Sequence, residues 1–124
     1  MDINLKKAIM LLNSLIYHYH GLDAEEEVLL EAVAVKYDAE EALSWANQFI
    51  AEDYISAFER SKQFLSPIFK SLPKDEAVNY LQEIWVGNHD KGYVTEMELS
   101  AMQQLAADWG ISSEFTKIVD ATES

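Results

Sequence analysis

The sequence predicts an all-α protein of about seven helices, a single compact domain over residues 1–124 with a frayed tail at 120–124. Three observations carry this. Apolar residues recur at spacings of three and four along most of the chain, which is the period of an amphipathic helix. No run alternates convincingly between apolar and polar residues, as a half-buried strand does. Only four Gly and two Pro stand among 124 residues, so breakers are few and long helices with short loops are favoured.

The elements follow in order. Helix 1 is expected over Ile3–Tyr19, with Leu5, Ala8, Ile9, Leu12, Leu15, Ile16 and Tyr19 on one face and Gly21 as its stop. Its apolar run follows Lys6-Lys7 and has the length of a signal-peptide core. Asn13 and Ser14 interrupt that run and no small-x-small cleavage site follows, so it reads as a core helix. Helix 2 begins after Asp23, with Glu26 at the capping-box position and an apolar face of Leu29, Leu30, Val33, Ala34 and Tyr37. Asp38 is expected to cap helix 3, with Glu41 at its box position and Leu43, Trp45, Ala46, Phe49 and Ile50 facing inward. Helix 4 is expected over Tyr54–Ser71, kinked or restarted near Leu65-Ser66 because Pro67 removes a backbone bond.

Pro73 suits the first turn of helix 5, whose stripe is Val78, Leu81, Ile84 and Trp85. A polar loop from Gly87 to Gly92 is then expected to turn the chain. Thr95 caps helix 6, which runs to Trp109 and stops at Gly110, and Ser112 or Ser113 caps a last helix through Phe115, Ile118 and Val119. Trp45, Trp85 and Trp109 lie on apolar stripes and are expected in the core.

The chain echoes itself at an offset of 72. Leu22 pairs with Val94, Asp23 with Thr95, Glu26 with Glu98, Leu30 with Met102, Val33 with Leu105, Ala34 with Ala106 and Tyr37 with Trp109. Two amphipathic helices with capping boxes share much of this by construction. As a structural repeat, it would place two helical hairpins about a pseudo-two-fold axis.

Composition narrows the function classes. Twenty-two acids against nine bases leave a formal net charge of −13, which repels nucleic-acid phosphates and suits cations, a basic protein partner or plain solubility. The absence of Cys excludes disulfides and thiolate metal sites, and fits a reducing compartment. No segment has the length and apolarity of an integral membrane span. Nothing reads as a nucleophile motif or a phosphate-cradling glycine loop, so no enzyme class is indicated.

One stretch has a ligand pattern. With Gly92 at position 6 of an EF-hand loop, Tyr93, Val94, Thr95 and Glu98 fall at positions 7, 8, 9 and 12. Positions 1, 3 and 5 are Gly87, His89 and Lys91, none of them a carboxylate. A degenerate, weak calcium site follows from this, using Asp90, Glu96 and Glu98, with Glu26 as the counterpart in the first half. The competing reading for Glu98 is a capping box with Thr95. His18 and His20 stand two apart near a helix end, where a partly charged imidazole is stabilised without a ligand.

The segment HDKGYVTEMELSAMQQLAADWGIS resembles the tellurite-resistance TerB-like family. The family's pattern is an Asp-Gly turn, an apolar residue, a small cap, one or two Glu and an amphipathic helix ending near Leu-Gly-Ile/Leu-Ser. Those roles fall here to Asp90, Gly92, Val94, Thr95, Glu96 and Glu98, and to Trp109-Gly110-Ile111-Ser112. Lys91 separates Asp90 from Gly92, and His20-Gly21 stands where the first half would carry the equivalent Asp-Gly. The resemblance implies a compact helical, non-enzymatic domain binding a divalent metal through acidic residues near these turns, with a stress-response role at the cytoplasmic face of the membrane. The expectation is therefore a cytoplasmic acidic module that senses a divalent cation such as calcium; the alternative is an interaction domain whose acidic face meets a basic protein.

Overall fold

The computed structural model describes residues 1–20, 23–90 and 94–123, without the side chains of residues 20, 90 and 123. Among the described residues every regular element is helical: α1 Ile3–Tyr17 with a 3₁₀ turn His18–His20, α2 Ala24–Lys36, α3 Glu40–Ala51, α4 Ala57–Ser71, α5 Lys74–Asp90, α6 Glu96–Asp108 and α7 Ser112–Glu123. The chain divides into two compact units, Met1–Ile68 and Phe69–Ser124.

In the first unit α1 packs on α3 and α2. Its residues Ala8–Tyr17 are all buried, so α1 is enclosed on every side rather than along one stripe. The run AIMLLNSLIY explains this, because a helix apolar all round has no face to give to water. Its one buried amide, Asn13, donates its side-chain N–H to the Ile9 carbonyl at 2.8 Å, which makes the burial affordable. Asp2 caps the start, accepting from the Asn4 and Leu5 amides. Trp45 stacks obliquely on Phe49 and Phe64 and is half-buried, not a core residue.

In the second unit α5 and α6 pack on α7. Trp85 is buried and meets Phe115 edge-on at 5.9 Å, and its indole N–H donates to Thr122 Oγ1 at 3.1 Å. Trp109 is also buried and stacks on Phe69 with centroids 4.3 Å apart. Both placements agree with the sequence pattern.

The offset of 72 is structural. Helices α2 and α6 are both 13 residues long and begin 72 apart, each behind a complete capping box; α3 and α7 are both 12 residues long and also begin 72 apart. The turns leaving α2 and α6 match bond for bond. The Ala39 N–H donates to the Ala34 carbonyl at 2.8 Å, and Ile111 to Ala106 at 2.8 Å; inside these, Asp38 donates to Val35 and Gly110 to Ala107, both at 3.2 Å. This pair of bonds is a Schellman motif, and it needs a left-handed residue at its apex. Asp38 and Gly110 supply it, with φ of 52° and 75°.

Several boundaries correct the sequence reading. Asp38 is not the N-cap of α3; that position is Ala39, which has no side chain able to cap, because Asp38 is held in the left-handed apex of the preceding turn. Ser112 is likewise the first residue of α7 rather than its cap. Helix α5 runs through Gly87, Asn88 and His89 to Asp90, so the polar loop expected from Gly87 does not begin there. The Asn88 side chain donates to the Ile84 carbonyl at 2.9 Å and the His89 ring packs edge-on against Trp85 at 4.4 Å, which anchors this last turn on the helix. Helix α4 is unbroken through Pro67 and begins at Ala57, not Tyr54. The expected stop at Gly21 and the Leu22–Val94 pairing lie outside the described residues.

A Cβ built on Gly110 meets nothing within 4 Å, so substitution there is opposed by backbone conformation alone. Gly110→Ala is expected to cost about 1–2 kcal/mol in urea unfolding. Gly110→Asp, which copies Asp38 of the first repeat, should cost less, since Asp tolerates the left-handed region better than Ala. Equal losses for the two variants would contradict this.

Candidate functional site

The carboxylates with a ligand-like pattern were Asp90, Glu96, Glu98 and Glu26, and the structure places them in different surroundings. Glu98 is fully buried. Its Oε1 accepts from the Thr95 amide at 3.1 Å and from the Thr95 hydroxyl at 3.0 Å, while the Glu98 amide donates back to Thr95 Oγ1 at 3.2 Å. Two otherwise orphaned donors at the start of α6 are thereby satisfied. Glu26, only 2% exposed, repeats the arrangement with Asp23: the Glu26 amide donates to Asp23 Oδ1 at 2.8 Å, and the Asp23 amide to Glu26 Oε1 at 3.4 Å.

Glu96 lies one turn-half away from Glu98 and is exposed, so the two do not share a face of α6. Glu26 belongs to the first unit and the other three to the second. The Asp90 side chain, Lys91, Gly92 and Tyr93 lie outside the described residues, and with them the centre of the calcium-loop alignment. Of the earlier loop positions, Gly87 and His89 are helical. Among the described residues, no group of three or more His, Asp or Glu could hold a metal ion. His18 is near the end of α1, where its Nδ1 lies 2.6 Å from the Ser14 carbonyl, so that nitrogen is engaged by its own helix.

Other acids are spent on tying elements together. Lys74, at the start of α5, contacts Glu114, at the start of α7, at 2.9 Å. The Lys74 ammonium, aided by the Glu114 amide and the Ser113 hydroxyl, holds the Glu114 carboxyl down at about 2. Asp53 is held below its ordinary range by the Ser56 hydroxyl and the Ile55 amide. It sits in the α3–α4 turn, which Arg60 ties from three directions: to Ser56 Oγ at 2.8 Å, the Phe49 carbonyl at 2.9 Å and the Asp53 carbonyl at 2.8 Å. Sequence reasoning missed this clasp, because no local pattern announces an Arg that bonds carbonyls seven and eleven residues behind it.

A cavity of about 640 Å³ lies in the first unit where the starts of α1 and α3 meet, and Lys6, Lys7, Glu41 and Trp45 line it. Lys7 lies over the Trp45 ring at 5.1 Å and Lys6 Nζ donates to the Asp38 carbonyl at 2.8 Å, so both ammonium groups are already engaged by the protein.

Exposed acids are spread over both units, and α2 carries three of them. Glu25, Glu27 and Glu31 are all exposed, against one exposed base, Lys36, at the far end of the same helix.

Two outcomes follow. Glu98→Ala should cost about 1–2 kcal/mol by urea unfolding, whereas Glu98→Gln, which keeps the acceptor, should cost clearly less. In a carboxyl-detected NMR titration Glu114 should ionise near 2, and Lys74→Met should raise its midpoint. The sign follows from a depressed folded value: the stabilisation is complete above the ordinary glutamate range and is lost as pH falls toward 2. It should also shrink in high salt, because the pair is on the surface.

No protein-family model, curated protein or solved structure matches this chain.

Proposed function

We propose that this chain is a non-enzymatic acidic helical module of the cytoplasm that works by meeting a basic protein partner. The observation that carries this reading is the division of labour among its glutamates. Glu26 and Glu98 are buried and bonded as helix caps, while Glu25, Glu27 and Glu31 face water on one helix. The net charge of −13 supports it, because a field of that sign speeds encounter with cations and basic surfaces and opposes nucleic acid. The Cys-free composition supports a reducing compartment.

The divalent-cation reading competes for the same charge, through Asp90, Glu96 and Glu98. A cation at the start of α6 would face the positive end of the helix dipole and would compete with the Thr95 donors for the Glu98 carboxylate. Calorimetry separates the two. A lysine-rich peptide should give a saturable, salt-sensitive heat, and calcium should give none up to about 1 mM, the weak end for oxygen-ligand sites. A calcium heat that vanishes in Glu98→Gln would overturn this ordering and favour cation sensing.

A further inference from the structure

Helix α2 buries one side and carries an apolar line on the opposite, exposed side. Its inner stripe, Glu26, Leu30 and Ala34, is buried. Its outer stripe is Ala24, Val28, Ala32 and Val35, at helical spacings of four, four and three, and all four are exposed. Val28 is 64% exposed and Val35 69%. Glu27 and Glu31 flank the stripe on one side and Glu25 on the other, all exposed. An apolar seam between charged edges is the surface that a helix presents to another helix.

The repeat provides an internal comparison. Helix α6 has the same length, the same capping box and the same left-handed exit. Its inner positions are buried like those of α2: Glu98, Met102 and Ala106. Its outer positions are Glu96, Ser100, Gln104 and Ala107, and the only large apolar residue exposed on α6 is Met97, beside that line. The outer line of this helix therefore carries Glu, Ser and Gln at three of four positions, and no valine stands on it.

We propose that the outer face of α2 docks an amphipathic helix of a basic partner, its apolar stripe on Val28, Ala32 and Val35 and its Lys or Arg residues on Glu25, Glu27 and Glu31. This rests on the acidic-module reading and gives it a place and a partner chemistry. Charge selects the occupant. A second copy would bring a surface with three glutamates and one lysine against its own kind, between chains each carrying −13. An anionic lipid surface would be repelled by the same rim. Three seam residues make a short contact, so the complex is transient.

The test uses the full chain, uniformly ¹⁵N-labelled, with two synthetic helical peptides that share a leucine stripe and differ in its flanks, Lys in one and Glu in the other. The Lys peptide should shift the amides of residues 24–36 most. Its binding should weaken several-fold when salt rises from about 50 to about 500 mM. Val28→Gln/Val35→Gln should weaken it about tenfold or more, since it removes the apolar contact. That variant should keep its far-UV circular dichroism, because both sites are exposed and Gln is the better helix former. Ser100→Gln/Ala107→Gln on α6 should leave binding unchanged. If the Lys peptide binds but its shifts centre elsewhere, or the α2 variant binds equally well, the docking face is wrong and the acidic-module reading survives. If the Lys peptide does not bind at millimolar concentration, both fall. Equal binding of the Glu peptide, or self-association that the α2 variant abolishes, would overturn the assigned partner chemistry.

Discussion

The left-handed residue after a 13-residue helix is the constraint on which each unit depends. It closes α2 at Asp38 and α6 at Gly110, and in both places the next helix begins after a connection of three residues. Ala39 and Ile111 follow the apexes, and both are buried, as are Ala34 and Ala106, whose carbonyls they bond. The next helix starts at once: the Leu43 amide donates to the Ala39 carbonyl at 3.0 Å and Phe115 to Ile111 at 3.0 Å. A looser turn would move α3 and α7 off the helices they pack against, α1 and α5. In the first unit Lys6 fixes the turn from outside, through the Asp38 carbonyl.

The opposite end of each 13-residue helix is equally determined, by a buried glutamate. Burying a carboxylate is expensive unless it is bonded. Glu26 and Glu98 meet that condition through the caps they complete, so one carboxylate both accepts from the amide of the capping residue and occupies interior space. A carboxylate committed in this way is a poor choice of metal ligand. The pattern that reads as position 12 of a calcium loop is thus the same pattern that starts the helix.

Much of this was legible in the sequence, and the failures have physical causes. The boxes at Asp23–Glu26 and Thr95–Glu98, the stop at Gly110 and the burial of Trp85 and Trp109 follow from spacing and residue type. Asp38 was misplaced because an aspartate before a helix is a good N-cap, and it is also one of the few non-glycine residues that tolerate a left-handed apex. Its alignment with Gly110 at the offset of 72 was the available signal. Asn88 and His89 look like loop residues by composition, yet Asn88 bonds its own helix and His89 packs on Trp85, contacts that depend on a helix already being there. The first helix shows a third failure. A search for one apolar stripe finds one in Ile3–Tyr17, although the run Ala8–Tyr17 is buried all round.

The two repeats also separate what folding demands from what it leaves open. Positions facing inward keep their character across the offset of 72: Glu26 and Glu98, Leu30 and Met102, Ala34 and Ala106 are all buried. Three outward positions change from apolar to polar: Ala24 stands where Glu96 does, Val28 where Ser100 does, and Ala32 where Gln104 does, while Val35 and Ala107 are both apolar. Exposed valine gains nothing from the fold and lowers helix propensity relative to a straight-chain residue. Its presence at two positions on one line of α2, between glutamates, is a local cost that α6 shows to be avoidable. The packing of α2 within its own unit therefore does not account for these valines, and the docked helix proposed above is the contact that would.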